Sequence, residues 1–286
     1  MNLLNSSTSA VGSFSSISAI IGSTASDTLL GANGTNTWTI TTSTAFTVNS
    51  LSVRNFESLV GGTGVDVFRA KEGVEYLGSI DGGPGVDRME YTTFASSVSV
   101  NLSLGSATGF ASVSRVENIT GGNGDDLLVG DASDNVISGG NGDDVLFGMT
   151  GNDTLNGNIG RDLLFGGSGE DLIRGSNGED ILIGGLTSYA QEASGFVNRT
   201  AIDAIMLEWR RTDSTYAQRI ARLNGLAPGG LNGAYFLDAS TLFDDEEVDD
   251  LWGDAGLDWF WAGLGDIVHF TSGEDVENLL RDIGNV

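Results

Sequence analysis

Between Gly121 and Ile183 an aspartate or its amide returns every ninth residue: Asp126, Asn135, Asp144, Asp153, Asp162, Asp171 and Asp180. Few kinds of chemistry suit such a column. The chain has no Cys, so thiol catalysis, disulfides and cysteine-ligated zinc or iron–sulfur centres are excluded. Its one histidine, His269, excludes multi-histidine metal sites. Carboxylates joined by backbone carbonyls remain, and that oxygen-only set suits a hard cation such as calcium. Without a cation, stacked turns would pile carboxylate on carboxylate and repel.

The elements that must hold these aspartates are equally regular. Seven nonapeptides run without a break: GGNGDDLLV, GDASDNVIS, GGNGDDVLF, GMTGNDTLN, GNIGRDLLF, GGSGEDLIR and GSNGEDILI. Position one is always Gly, and position four is Gly except at Ser133. Glycine there permits backbone angles closed to other residues and lets turns approach closely. Position eight is aliphatic throughout: Leu128, Ile137, Leu146, Leu155, Leu164, Ile173 and Leu182. In an extended tripeptide that middle residue alone points inward. A merely solvated Gly/Asp loop would not require it.

The pattern resembles the RTX, or hemolysin-type, calcium-binding repeat GGxGxDxUx. The resemblance implies a parallel β-roll in which GGxGxD is a turn, xUx a short strand, and two repeats one coil. Calcium would lie between turns of adjacent coils, hence between repeats two apart. Along one edge the pairs are Asp126/Asp144, Asp144/Asp162 and Asp162/Asp180; along the other, Asn135/Asp153 and Asp153/Asp171. These make about five sites. A sixth, between Asp171 and the Gly184–Gly185 turn, would lack its second carboxylate, and the Asn135 site should be weaker. The candidate metal set also includes turn positions three and four of alternate repeats: Asn123, Gly124, Asn141, Gly142, Ile159, Gly160, Asn177 and Gly178.

Positions seven and nine should face outward, with alternate repeats sharing a face. One face carries Leu127, Val129, Val145, Phe147, Leu163, Phe165, Ile181 and Ile183, and is wholly apolar. The other carries Val136, Ser138, Thr154, Asn156, Leu172 and Arg174. An apolar sheet of that size requires a cover, from the chain itself or from another subunit.

Degenerate copies precede the array. GSTASDTLL and GANGTNTWT (22–39) put Asp27 and Asn36 at position six, and GGTGVDVFR and GGPGVDRME add Asp66 and Asp87 as metal candidates without same-spacing neighbours. RNFESLVGGTGVDVF (54–68) aligns with SRVENITGGNGDDLL (114–128), which matches Glu57 with Glu117; both read as solvent-facing. Between them, TWTITTSTAFTV and SSVSVNLSL alternate like strands. Residues 20–120 therefore read as an irregular β-solenoid, 121–185 as the calcium roll, and 1–19 as a tail or a strand donated to a neighbour.

After Gly185 the repeat gives way to helical spacing in 186–243. TAIDAIMLEWRR sets Ile202, Ile205, Met206 and Trp209 on one stripe, with Thr200 as N-cap, and STYAQRIARLNG ends at Gly225. Arginines there would meet the acidic edge of the roll. LFDDEEVDD (242–250) reads as a solvated loop, with an extra calcium site as the alternative. GDAGLDWFW (253–261) restores the repeat with Asp258, so 244–286 reads as a resumed repeat and C-terminal cap, with Trp252, Trp259 and Trp261 closing its end. His269 reads as structural, and GEDVENLLRDIGNV as a short amphipathic helix.

The fold class is thus all-β dominated, a parallel β-roll or β-solenoid with an inserted or appended C-terminal helical segment. With 13 basic and 39 acidic residues, the net charge of −26 repels nucleic acid and anionic lipid. No apolar run spans a bilayer, and the N-terminus lacks a secretory signal's basic n-region. With neither HExxH nor GxSxG, no enzyme activity is expected. The resemblance implies type I secretion to the exterior or cell surface, without an N-terminal signal, and folding on Ca2+. Three functions fit: a surface or matrix protein that assembles as a homo-oligomer or polymer, the secretion and folding module of a larger enzyme or toxin, and an adhesin binding cell-surface glycan through its tryptophans.

Overall fold

A computed structural model describes residues 18–269 and 276–279, which form two compact units meeting in sequence at Gly124 and Asp125. Of the tail or donated strand expected over 1–19, residues 1–17 lie outside the described residues, and Ala19 opens a strand that pairs with 51–54 of its own unit. Among those described, no helix is long and apolar enough to cross a membrane; this says nothing about a β-barrel.

In the second unit the nonapeptides alternate between two parallel sheets. One runs 127–129, 145–150, 163–168, 181–183, 259–262 and 276–279; the other runs 136–141, 154–159, 172–177, 250–255 and 267–269. The register is the repeat itself. Leu128 pairs with Leu146, Leu146 with Leu164, and Leu164 with Leu182, while Ile137, Leu155 and Ile173 stack in the opposite sheet. All seven position-eight side chains are buried between the sheets. This is the parallel β-roll that the spacing requires. The polar face, Val136 to Arg174, is exposed or half-buried.

The roll then skips a segment and continues. Leu182 pairs with Phe260 and Ile173 with Leu251, so the stretch between them is an insertion between consecutive coils. It carries helix α1 (Arg199–Trp209) and helix α2 (Tyr216–Leu223). The first is capped by Asn198, whose side chain accepts from Ala201 N, rather than by Thr200. The second begins in a capping box between Thr215 and Gln218. The stripe of Ile202, Ile205, Met206 and Trp209 packs with Ile220, Leu223, Leu237 and Leu242 onto the apolar face of the roll, burying Phe147, Phe165, Ile181 and Ile183. The cover is thus intramolecular. Trp209 Nε1 donates to Glu179 O (2.9 Å), Arg219 pairs with Glu179 (2.5 Å), and Arg210 pairs with Asp125, so the arginines do meet the acidic turn edge.

At the end of the chain the readings of the tryptophans and of the tail helix change, and that of His269 does not. Trp259 and Trp261 are core residues beneath the insertion, 0 % and 7 % exposed, and Val276–Leu279 follows them as a further strand, so they neither cap the roll nor present a sugar-binding strip. Residues 276–279 of the expected tail helix are that strand; the rest of the tail lies outside the described residues. His269 stacks on Trp252 at 3.6 Å and lies 2.8 Å from Asp250 Oδ1, packed as a structural residue.

The first unit has the same plan with wider coils. One sheet contains 19–21, 51–54, 45–48, 36–42, 66–69, 88–90 and 118–120; the other contains 28–30, 58–60, 76–81, 110–114, 106–107 and 99–101. Antiparallel hairpins at 36–54 and 99–114 interrupt the parallel ladder.

Candidate metal centre

From Asp144 onward the position-six aspartate turns inward beneath its own turn and reaches back to the preceding coil. The backbone N of Asp126 donates to Asp144 Oδ1 (2.8 Å), that of Asp144 to Asp162 (2.8 Å), of Asp162 to Asp180 (2.8 Å), and of Asp180 to Asp258 (2.9 Å). On the other edge Asn135 N donates to Asp153 (2.7 Å), Asp153 N to Asp171 (2.7 Å), and Asp171 N to Asp249 (2.9 Å). All are buried. Every expected pair is adjacent, and Asp258 continues the first column. The Asp171 rung does not lack its partner: Asp249 supplies it from the far side of the insertion. LFDDEEVDD is accordingly no solvated loop at that residue.

The second carboxylate oxygens sort the rungs. Oδ2 of Asp144, Asp153, Asp162, Asp171, Asp180 and Asp249 is buried with no hydrogen-bond donor. Each faces a cradle made by glycine. A Cβ on Gly139 would lie 2.3 Å from Asp144 Oδ2 and 2.8 Å from Gly157 O, and one on Gly148 would lie 2.3 Å from Asp153 Oδ2 and 2.5 Å from Gly166 O. A carboxylate oxygen and a carbonyl oxygen aimed at one gap are the kind of oxygen donors that a hard cation takes. Asn135 differs, because its Oδ1 accepts from Asp131 N within its own turn (2.8 Å).

Burial pushes these acids far above the usual carboxylate range. Asp144 is raised to about 8, Asp153 to about 7, Asp171 to about 9 and Asp249 to about 8, desolvation being the main cause and neighbouring carboxylates adding to it. Asp162 is raised well above the ordinary carboxylate range by burial and then by Asp180, and Asp180 likewise by burial with Asp258 adding to it. A divalent ion would remove that cost.

The turn positions supply backbone rather than side chain. Ile159 O and Asn177 O accept from Gly142 N (2.9 Å) and Gly160 N (3.0 Å), each keeping a lone pair. Gly160 and Gly178 have φ of +149° and +157°, and a Cβ on either would strike the carbonyl of Gly142 or Gly160, at 1.8 and 1.5 Å. At these two turns position four must be glycine for the coils to stack. Gly124 is similarly crowded by Ser96 and Ser97 (2.5 Å), and Asn123 N donates to Phe94 O (2.8 Å). Asn141 ends the strand Val136–Asn141. Among the described residues, no three Asp, Glu, His or Cys side chains converge as a ready-made cluster, so the cage needs these carbonyls.

The first unit has a column of its own with uneven spacing. Asn36 N donates to Asp66 Oδ1 (3.0 Å) and Asp66 N to Asp87 Oδ1 (2.7 Å), so Asp66 and Asp87 are neighbours after all, separated by a coil of 21 residues. Asp66 Oδ2 is satisfied by Gly62 N (2.6 Å), whereas Asp87 Oδ2 is buried without a donor. Glu57 and Glu117 accept from Asp27 N (2.8 Å) and Asp87 N (2.7 Å). They are more than solvent-facing carboxylates: they replace the rung aspartate. Their common place four residues before a GG pair was the available signal. Uneven coil length hid the rest.

Parallel coils closed by glycine turns over stacked aspartates define a β-roll of the calcium-binding kind. The family model of the RTX calcium-binding nonapeptide repeat matches residues 120–155, 156–187 and 240–266, with four copies. This chain carries RTX repeats, and such repeats bind Ca2+. The third segment matches beyond the helical insertion, where the roll resumes. No curated protein matches the chain.

Proposed function

We propose that this chain is an extracellular structural protein that folds when calcium fills its turns and then assembles with copies of itself. RTX repeats are typical of type I-secreted proteins. The observation that carries the reading is the column of buried Oδ2 atoms with neither donor nor counter-charge. In calcium-poor cytosol these carboxylates repel and the roll stays open, which keeps the chain threadable. At the millimolar calcium outside cells, weak sites of about 10⁻⁴–10⁻³ M fill and drive folding. The ligands are Asp144, Asp162 and Asp180 with Asp126 and Asp258 on one edge, and Asp153, Asp171 and Asp249 on the other, with carbonyls from turn positions three and four. Asp87 is the corresponding ligand in the first unit. Asp66 and Asn135, satisfied within their own turns, hold ions more weakly.

Because the insertion covers the apolar face, assembly would use sheet ends. Ala19–Ile21 and Thr28–Leu30 end the two sheets of the first unit among the described residues, and such edges can pair with another chain. Size-exclusion chromatography with light scattering, with calcium and with chelator, tests this. Calcium-driven polymer supports assembly; a clean calcium-loaded monomer overturns it. That monomer would favour a self-contained folding module of a larger secreted protein, a reading the intramolecular cover also suits.

A further inference from the structure

A cavity of about 340 Å³ lies at the C-terminal end of α2, beneath the loop 224–233, with Arg222, Leu226, Pro228, Gly229, Asn232 and Phe236 among its walls. That volume holds one small ring. The loop over it is tied down. Ala227 N donates to Ala221 O (2.7 Å), Leu231 N to Glu208 Oε2 (2.7 Å), and Asn232 Nδ2 to Tyr235 O (2.6 Å) and Arg222 O (3.3 Å). Gly229 and Gly233 turn the chain at φ of +85° and +61°, where other residues are strained.

The polar groups of the walls are only partly used by the protein. Asn232 is 2 % exposed and held by its amide nitrogen, yet its Oδ1 takes no donor among the described residues. Gly230 keeps that oxygen uncovered, because a Cβ there would strike it at 2.1 Å. Arg222 engages Nη1 alone, with Glu208 Oε1 (3.0 Å) and Ser214 Oγ (2.7 Å), which leaves Nε and Nη2 without acceptors among the described residues. Its charge is already balanced by the buried Glu208. The half-buried ring of Phe236 forms an apolar wall, and Leu226, 81 % exposed, an apolar rim.

We propose that this cavity binds one neutral sugar ring, whose hydroxyls donate to Asn232 Oδ1 and accept from Arg222 while a C–H face lies on Phe236. The free acceptor needs a ligand that donates, and the free guanidinium nitrogens need one that accepts. A hydroxyl does both, whereas a carboxylate or phosphate only accepts. Anions are disfavoured further by the carbonyl end of α2 and by the net charge of −26. An apolar wall beside a few fixed polar groups is the usual make-up of a small-molecule site. The pocket is built wholly from the insertion and uses none of the rung aspartates, so it stands apart from the calcium and assembly readings.

The test is saturation-transfer NMR on the full calcium-loaded chain with the methyl glycosides of glucose, galactose, mannose and N-acetylglucosamine, and with glucuronate as the acidic comparison. At least one glycoside should bind with a Kd of about 1 mM, as expected for a single ring with few contacts. Arg222→Lys keeps a cation beside Glu208 but removes the two free guanidinium nitrogens, and should weaken that binding about tenfold. Phe236→Leu keeps apolar bulk but loses the ring face, and should weaken it about threefold. Far-UV circular dichroism and its calcium midpoint should match wild type in both variants. If Arg222→Lys alters the dichroism, Phe236→Leu alone decides. Transfer from none of the four glycosides, or binding undiminished in the variants, overturns the inference. Tighter binding of glucuronate than of the glycosides overturns the assignment to a neutral sugar.

Discussion

Asp162 shows what one residue must do in this fold. Its Oδ1 holds the preceding coil's amide and its Oδ2 faces only glycine and carbonyl oxygen, so the side chain is needed in both states but content only with a cation. Asp162→Asn keeps the first contact and removes the charge. The calcium midpoint for folding should rise about tenfold, and dialysis should count at least one ion fewer. An unchanged midpoint would remove Asp162 from the ligand set. Protons should partly substitute for the ion. Asp144, Asp153, Asp171 and Asp249 have folded-state values of about 8, 7, 9 and 8, above those of the unfolded chain, so without calcium the roll is most stable below the ordinary carboxylate range and loses that stability as pH rises through 7–9. In chelator, β ellipticity should therefore increase on acidification from pH 9 to pH 5. With calcium, the midpoint should fall as pH rises, because protons compete for the same oxygens. Ellipticity that grows with pH in chelator would contradict the burial of these acids.

At the scale of the element, turn and strand divide the work within nine residues. The strand contributes one inward aliphatic; Leu164 is fully buried between Leu146 and Leu182. Leu164→Ala should cost about 2–5 kcal/mol in calcium denaturation experiments, whereas Val136→Ala on the exposed face should stay within about 0.5 kcal/mol. The turn contributes the glycines, and Gly160→Ala should cost about 1–3 kcal/mol from backbone conformation alone, with the clash at Gly142 O added. An Ala at that position as stable as wild type would mean the coils are not stacked as described. Much of this was legible in advance, because a nine-residue period with one invariant aliphatic admits a single inward position. The N-cap was not: Asn198 and Thr200 both precede the apolar stripe, and only the packed entry of the chain selects between them.

Across the second unit, metal binding and core formation are one process. The apolar face of the roll exists only when the coils stack, and the insertion has nowhere else to bury Trp209. Chelation should thus shift tryptophan emission to the red as Trp209, Trp259 and Trp261 meet water, together with the loss of β ellipticity. Each site held at a hundredfold excess over its Kd adds about 2.7 kcal/mol, so the thermal midpoint should climb with calcium concentration without a plateau near first saturation. Emission that stays blue in chelator would show that the core forms without the ion.

The nonapeptides alone determined the roll, its inward ladder, the adjacency of aspartates two repeats apart and the need to cover one face, because each follows from a local period repeated without a break. Tertiary structure decided where the period is broken. Asp249 joins Asp171 across an insertion, Asp66 joins Asp87 across a coil longer than two nonapeptides, and Glu57 and Glu117 replace aspartates by reaching one carbon further. Whether helices or a second chain would cover Phe147 and Phe165 was likewise a matter of packing, since an apolar stripe on a helix specifies that it must be buried but not against what.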